Sequence, residues 1–169
     1  RGHGDSGWSP PYSDQFLAAD VLNLMDHCGF EVTSVVAHSL GSHAASFAAG
    51  CFPDRVERLA LVEGFGPPRK AGAVDGEQWR QQTAQFIEIA RTVPAQRSFP
   101  SIDAVLESFR KLYPNLDAAT ASLIVENSVR PAESGVEWKW DPQTRDWITT
   151  ADPDRFEEAW EGIQCPTLA

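Results

Sequence analysis

Cysteine, methionine and positive charge are all scarce in this sequence. Its three cysteines, Cys28, Cys51 and Cys165, are too few and too far apart for a disulfide framework or a zinc site. They read as reduced thiols of a cytoplasmic protein. Lys and Arg number 14 against 24 Asp and Glu, a net charge of −10. A surface of that sign repels phosphates, which argues against a nucleic-acid-binding module. No apolar run approaches the ~20 residues that a membrane helix needs. Arg1 opens the chain without a signal-peptide pattern, and no short repeat or low-complexity tract follows. What is present is a hydrophobic fraction of 42%, enough to bury a core and incompatible with disorder. A length of 169 residues suits one domain, or one domain with an insertion.

Arg1–Pro11 is rich in Gly, Ser and Pro and reads as a loop. Leu17, Val21, Leu24, Met25 and Cys28 then recur at helical spacing, with Asp14, Gln15, Asp20, Asn23 and Asp26 on the other faces. Ser13 or Asp14 suits the start of that helix, and Gly29 the left-handed residue after its end. Phe30–Ala37 is short and β-branched, which predicts a buried strand. Ser39–Phe52 is a run of Ala, Gly and Ser that lets a helix lie close to a sheet. Val56–Val62 predicts a second strand, so 30–62 forms a βαβ unit and the fold class is α/β with a parallel sheet.

After the break at Gly64–Pro68 the pattern turns helical, with no convincing core strand before Gln164. Trp79, Thr83, Phe86, Ile87 and Ala90 make one stripe; Ile102, Val105, Leu106, Phe109 and Leu112 make a second, capped by Ser101. A third helix spans about Asp117–Asn127. A fourth starts at Asp152 and Pro153 and aligns Phe156, Ala159, Trp160 and Ile163. Val136, Trp138 and Trp140 alternate with Glu137 and Lys139 in a strand-like way, and Asp141-Pro142 turns the chain. Cys165–Ala169 reads as a strand beginning. The expected organisation is a partial α/β core over 1–66, a helical insertion over 67–164 and the start of a returning strand over 165–169.

The stretch that carries chemistry is Val35-Val36-Ala37-His38-Ser39-Leu40-Gly41. A strand runs straight into a helix through small-x-Ser-x-Gly, a turn that strains the serine and exposes its side chain. Ala37 and Gly41 are expected to leave room for it. The N–H of Leu40 and the helix dipole can stabilise an oxyanion beside Ser39. Those residues resemble the nucleophile elbow of the α/β-hydrolases, with Ala37 in place of the first glycine. Arg1-Gly2-His3-Gly4-Asp5-Ser6 resembles a loop of the capped members, Trp138–Pro142 (WKWDP) a cap segment, and Cys165–Leu168 the strand after the cap. The nearest likeness is to the serine-hydrolase-like branch.

The resemblance implies a serine hydrolase of small, apolar esters, amides, thioesters or carbon–carbon bonds beside a ketone, with no cofactor or metal. Ser39 is the implied nucleophile and Leu40 the first oxyanion donor. The second donor and the catalytic histidine are expected before Arg1 and after Ala169, so the chain reads as an internal fragment. The acid is expected beyond Cys165, or, as in some members, at Glu63 after the 56–62 strand; a carboxylate hinging the insertion is the plainer role for Glu63. His38 adjoins the nucleophile and reads as a packing or substrate-lining residue. His43 reads as buried one turn down the helix, His27 as a helix-end residue, and His3 as a loop residue near the site. Trp8 and Trp138 are candidates for lining an apolar pocket, although most of the Trp residues serve to bury area. The alternative function is a non-catalytic module of the same fold that binds a ligand or partner, or an inactive truncated product.

Overall fold

The computed structural model describes residues 1–64, 76–91, 95–146 and 153–169. Helix α1 (Asp14–His27) leads to strand β1 (Thr33–His38), helix α2 (Leu40–Cys51) and strand β2 (Val56–Val62). Then follow α3 (Gly76–Arg91), β3 (Ser98–Phe99), α4 (Ile102–Leu112) and α5 (Ala118–Ser128). The hairpin β4 (Val129–Ala132) and β5 (Gly135–Trp138), helix α6 (Pro153–Glu161) and β6 (Thr167–Leu168) complete the order. The chain divides into two compact units, Arg1–Pro10 with Thr92–Thr144, and Pro11–Arg91 with Arg145–Ala169. The three-part division read from the sequence draws its lines elsewhere: the opening loop groups with residues 92–144, and α3 and α6 group with the βαβ segment.

In the larger unit, β1, β2 and β6 form a parallel sheet with β2 central. β1 and β2 run in register from Ser34↔Arg58 to His38↔Val62. The small residues of α2 do what their size predicts. Ala44, Ala45, Ala48 and Ala49 are buried, and Ala45 and Ala49 pack against Val56, Leu59 and Leu61. α6 crosses α2 so closely that a Cβ on Gly50 would overlap the Ala159 carbonyl. Phe156 of α6 is fully buried among Tyr12, Leu17, Leu40, Phe47 and Trp160.

Two expectations for this unit need correction. β1 is not buried on both faces: Val35 and Ala37 face the α2 cluster, while Val36 lies on the other face, 78% exposed. On α1 the buried line is Asp14, Ala18 and Met25, and Leu24 is exposed, because only one narrow stripe of the helix meets α2. Ser13 occupies the N-cap without a side-chain cap bond, and Gly29 takes the left-handed conformation at φ +73°. In α3, Thr83 is half-buried and Ile87 exposed; the side chains of Trp79, Phe86 and Ala90, like Trp147 and Asp152, lie outside the described residues.

In the smaller unit β5 falls within the alternating stretch around Val136–Trp140 that reads as strand-like, whereas β3 and β4 carry no such signal. β3, β5 and β4 form an antiparallel sheet in that order. Pro131 is tolerated because β4 is an edge strand. Gly135 sits at φ +103°, where a Cβ would overlap the Phe99 carbonyl. Phe99, Val105, Val125 and Val129 are the core, with Phe109, Val136 and Trp138 packed on it. Ser101 and Asp117 cap α4 and α5 by accepting from the Ala104 and Thr120 N–H groups.

The opening loop is tied to the segment 138–142 within this unit. The Asp141 N–H donates to Gly2 O at 2.8 Å, and Lys139 Nζ lies 2.8 Å from Asp5 Oδ1. The Arg130 guanidinium stands 4.1 Å from the Trp8 ring centroid, held also by Glu137 at 2.7 Å. The two stretches singled out separately in the sequence, Arg1–Ser6 and Trp138–Pro142, are therefore parts of one assembly.

Candidate active site

β1 ends at His38, and α2 begins at Leu40, leaving Ser39 alone to turn the chain. It does so at φ 51° and ψ −121°, a region that costs a residue with a Cβ about 1–3 kcal/mol. The Ser39 side chain is exposed and makes no hydrogen bond among the described residues. Leu40 is the first residue of α2, so its N–H has no partner one turn back in the helix. The positive end of the helix dipole thus lies beside Ser39. Such a corner presents a hydroxyl and an N–H donor together, the two groups that attack on a carbonyl requires.

Glu63 follows β2 as Ser39 follows β1, and it too has a left-handed backbone, at φ 50°. Its Oε2 lies 3.1 Å from His38 Nε2, with both side chains largely in solvent. The structure thus brings Ser39, Leu40, His38 and Glu63 together at the adjoining ends of two parallel strands. His43, one turn into α2, is half-buried, and its ring stands edge-on to Phe156 at 5.5 Å. Burial lowers the His43 pKa below the usual imidazole value. His27 lies exposed at the end of α1, and the His3 Nδ1 lies 3.1 Å from Arg1 O in the other unit. Trp8 and Trp138 also belong to that unit, the first against Arg130 and the second against Phe99 and Phe109.

At the turn, a Cβ added to Gly41 would meet nothing within 4 Å among the described residues. The crowded glycine is Gly64, whose added Cβ would lie 2.8 Å from Ser39 O and 3.0 Å from Ser42 Cβ. In the sequence Gly64 reads as a chain break, because its neighbour in space, Ser39, is 25 residues away along the chain. No cluster of three or more His, Cys, Asp or Glu suited to a metal occurs among the described residues. None of the described helices is long and apolar enough to cross a membrane.

Comparison with known proteins identifies the fold family. The alpha/beta hydrolase fold family profile matches residues 1–155. An sn-1-specific diacylglycerol lipase of Mus musculus is 29% identical over 144 residues, covering 83% of this chain and 42% of the lipase. A serine hydrolase-like protein of Danio rerio is 24% identical over 147 residues, 79% of this chain and 42% of that protein. Among solved structures, a thioesterase domain from the curacin biosynthetic pathway superposes with a TM-score of 0.78 at 23% identity. That superposition covers 98% of this chain and 60% of the thioesterase chain. The chain spans less than half the length of both curated relatives.

Proposed function

Because the chain belongs to the α/β-hydrolase fold family, we propose that it carries the nucleophile of a serine hydrolase. The observation behind this reading is the strained, exposed Ser39 at the junction of β1 and α2. Ser39 Oγ attacks a carbonyl carbon, and a histidine from the remainder of the protein takes its proton. The Leu40 N–H and a second N–H hold the oxyanion; the leaving group departs with the proton, and water releases the acid. The substrate class is small, apolar esters, amides, thioesters or carbon–carbon bonds beside a ketone. The names of the relatives, a diacylglycerol lipase and a thioesterase, support acyl chemistry. We assign Glu63 to orienting the histidine, because it follows β2 as Ser39 follows β1 and its exposed carboxylate meets His38 through Oε2. His38, at the end of β1 next to Ser39, is the residue we assign to lining the substrate.

Fluorophosphonate labelling tests the reading, since it needs an activated serine and no known substrate. The complete protein that contains this chain should label at Ser39, and Ser39→Ala should not. A folded complete protein that does not label would replace this reading with that of a non-catalytic binding module.

A further inference from the structure

Something must hold Ser39 in its strained, left-handed backbone. We propose that the end of β2 together with the first turn of α2 is the clamp, and that Ser42 and Gly64 are positioning residues for Ser39. The proposal rests on the reading of Ser39 as the nucleophile, but its geometry stands apart from that reading.

The clamp acts at three points. The Ser39 N–H donates to Val62 O at 2.9 Å, fixing the turn to the neighbouring strand. The Ser42 hydroxyl is fully buried and lies 2.9 Å from Ala37 O and 3.2 Å from Val62 O. One hydroxyl on α2 thus joins the C-terminal ends of both strands, at Ala37 and Val62, across the turn. The Ser42 N–H, in turn, donates to Ser39 O at 2.8 Å. Gly64 closes the third side. A Cβ there would lie 2.8 Å from Ser39 O, 3.0 Å from Ser42 Cβ and 3.4 Å from His43 Cδ2. The first of these is backbone and the second is the root of a side chain, so neither can swing aside. A methyl group at position 64 therefore has to displace the carbonyl of Ser39 itself.

Ser46 shows that this arrangement is particular to Ser42. It sits one turn further along α2 and is equally buried, yet it donates to His43 O and accepts from Trp160 Nε1, away from the turn. Two serines of one helix, equal in burial, therefore separate the loss of a buried hydroxyl from the loss of the clamp.

The test has two readouts on the complete protein: hydrogen exchange at the Ser39 amide and fluorophosphonate labelling. Ser42→Ala and Gly64→Ala should raise exchange at Ser39 relative to α1, and Ser46→Ala should not. The same two variants should label about 10- to 100-fold more slowly, the scale expected when a reacting group is misplaced by about 1 Å. The loss should fall in the maximal labelling rate rather than in probe affinity. Ser42→Ala adds no bulk, so it carries the test if Gly64→Ala fails to fold. Exchange at Ser39 that is the same in Ser42→Ala as in Ser46→Ala overturns the clamp, whatever the labelling. Raised exchange in a protein whose unaltered form does not label supports the clamp and removes the nucleophile.

Discussion

Ser39 and Glu63 share a left-handed backbone, at φ 51° and 50°, each one residue past the register pair His38↔Val62 on adjoining parallel strands. Among the described residues they are the only two non-glycine residues with positive φ. Strain of this kind persists only where the surroundings over-determine it, and it concentrates at working sites. Here it sits on the residue proposed to attack and on the carboxylate next to it.

Strain at Ser39 predicts an ordering of variants. Ser39→Gly and Ser39→Ala both remove the hydroxyl and should both abolish labelling. Glycine occupies φ 51° without a clash, whereas alanine keeps the Cβ and its strain. The glycine variant should therefore be the more stable of the two by about 1 kcal/mol, even after the entropy that glycine costs. Urea denaturation of the two variants measures this, and an alanine variant of equal or greater stability would mean that the turn stores no strain.

Glu63 poses a different question, whether its charge serves folding or chemistry. The His38–Glu63 contact joins two side chains largely in solvent, so Glu63→Gln should leave the denaturation midpoint nearly unchanged. If the carboxylate orients the general base, the same variant should slow labelling by orders of magnitude, as loss of a triad acid does. An unchanged labelling rate with an unchanged midpoint removes Glu63 from that role.

The βαβ segment was legible because its signals are local. Val56–Val62 is a short strand with the apolar run Leu59–Val62, Ser39–Phe52 is dense in small residues, and Ser39 lies between strand and helix. Of the antiparallel sheet only the alternation at β5 was legible, because β3 has two residues and β4 four, too short to show a period of two. Pro131 further disguised β4. Gly64 escaped for another reason: its constraint comes from Ser39 and Ser42, which only the parallel pairing of β1 and β2 brings near. The same holds for Asp5 with Lys139 and Trp8 with Arg130, whose partners lie more than a hundred residues away.

Gly135 gives that short sheet a direct test. Its φ of +103° is one that side chains rarely adopt, and a Cβ there would meet the Phe99 carbonyl and the Pro100 backbone. Gly135→Ala should separate β3 from β5 and destabilise the protein by at least about 2 kcal/mol. Denaturation with amide exchange at Phe99 reports both effects, and a variant of undiminished stability would contradict the pairing of β3 with β5.

His43 makes stability depend on pH with a definite sign. Burial against Phe156 disfavours its charged form, so its pKa in the folded protein lies below the unfolded value of about 6.5. Between those two values the unfolded chain binds more protons than the folded one, so stability rises with pH. The contribution is fully present above about pH 6.5 and is lost as pH falls toward and through the folded value. His43→Gln removes the titration and leaves the carboxylates of the acidic surface as they are. Urea midpoints of the two proteins between about pH 5 and 8 should therefore diverge in one direction only. The unaltered protein should lose more stability on acidification than the variant does, and parallel curves would show that His43 is solvated alike in the folded and unfolded states.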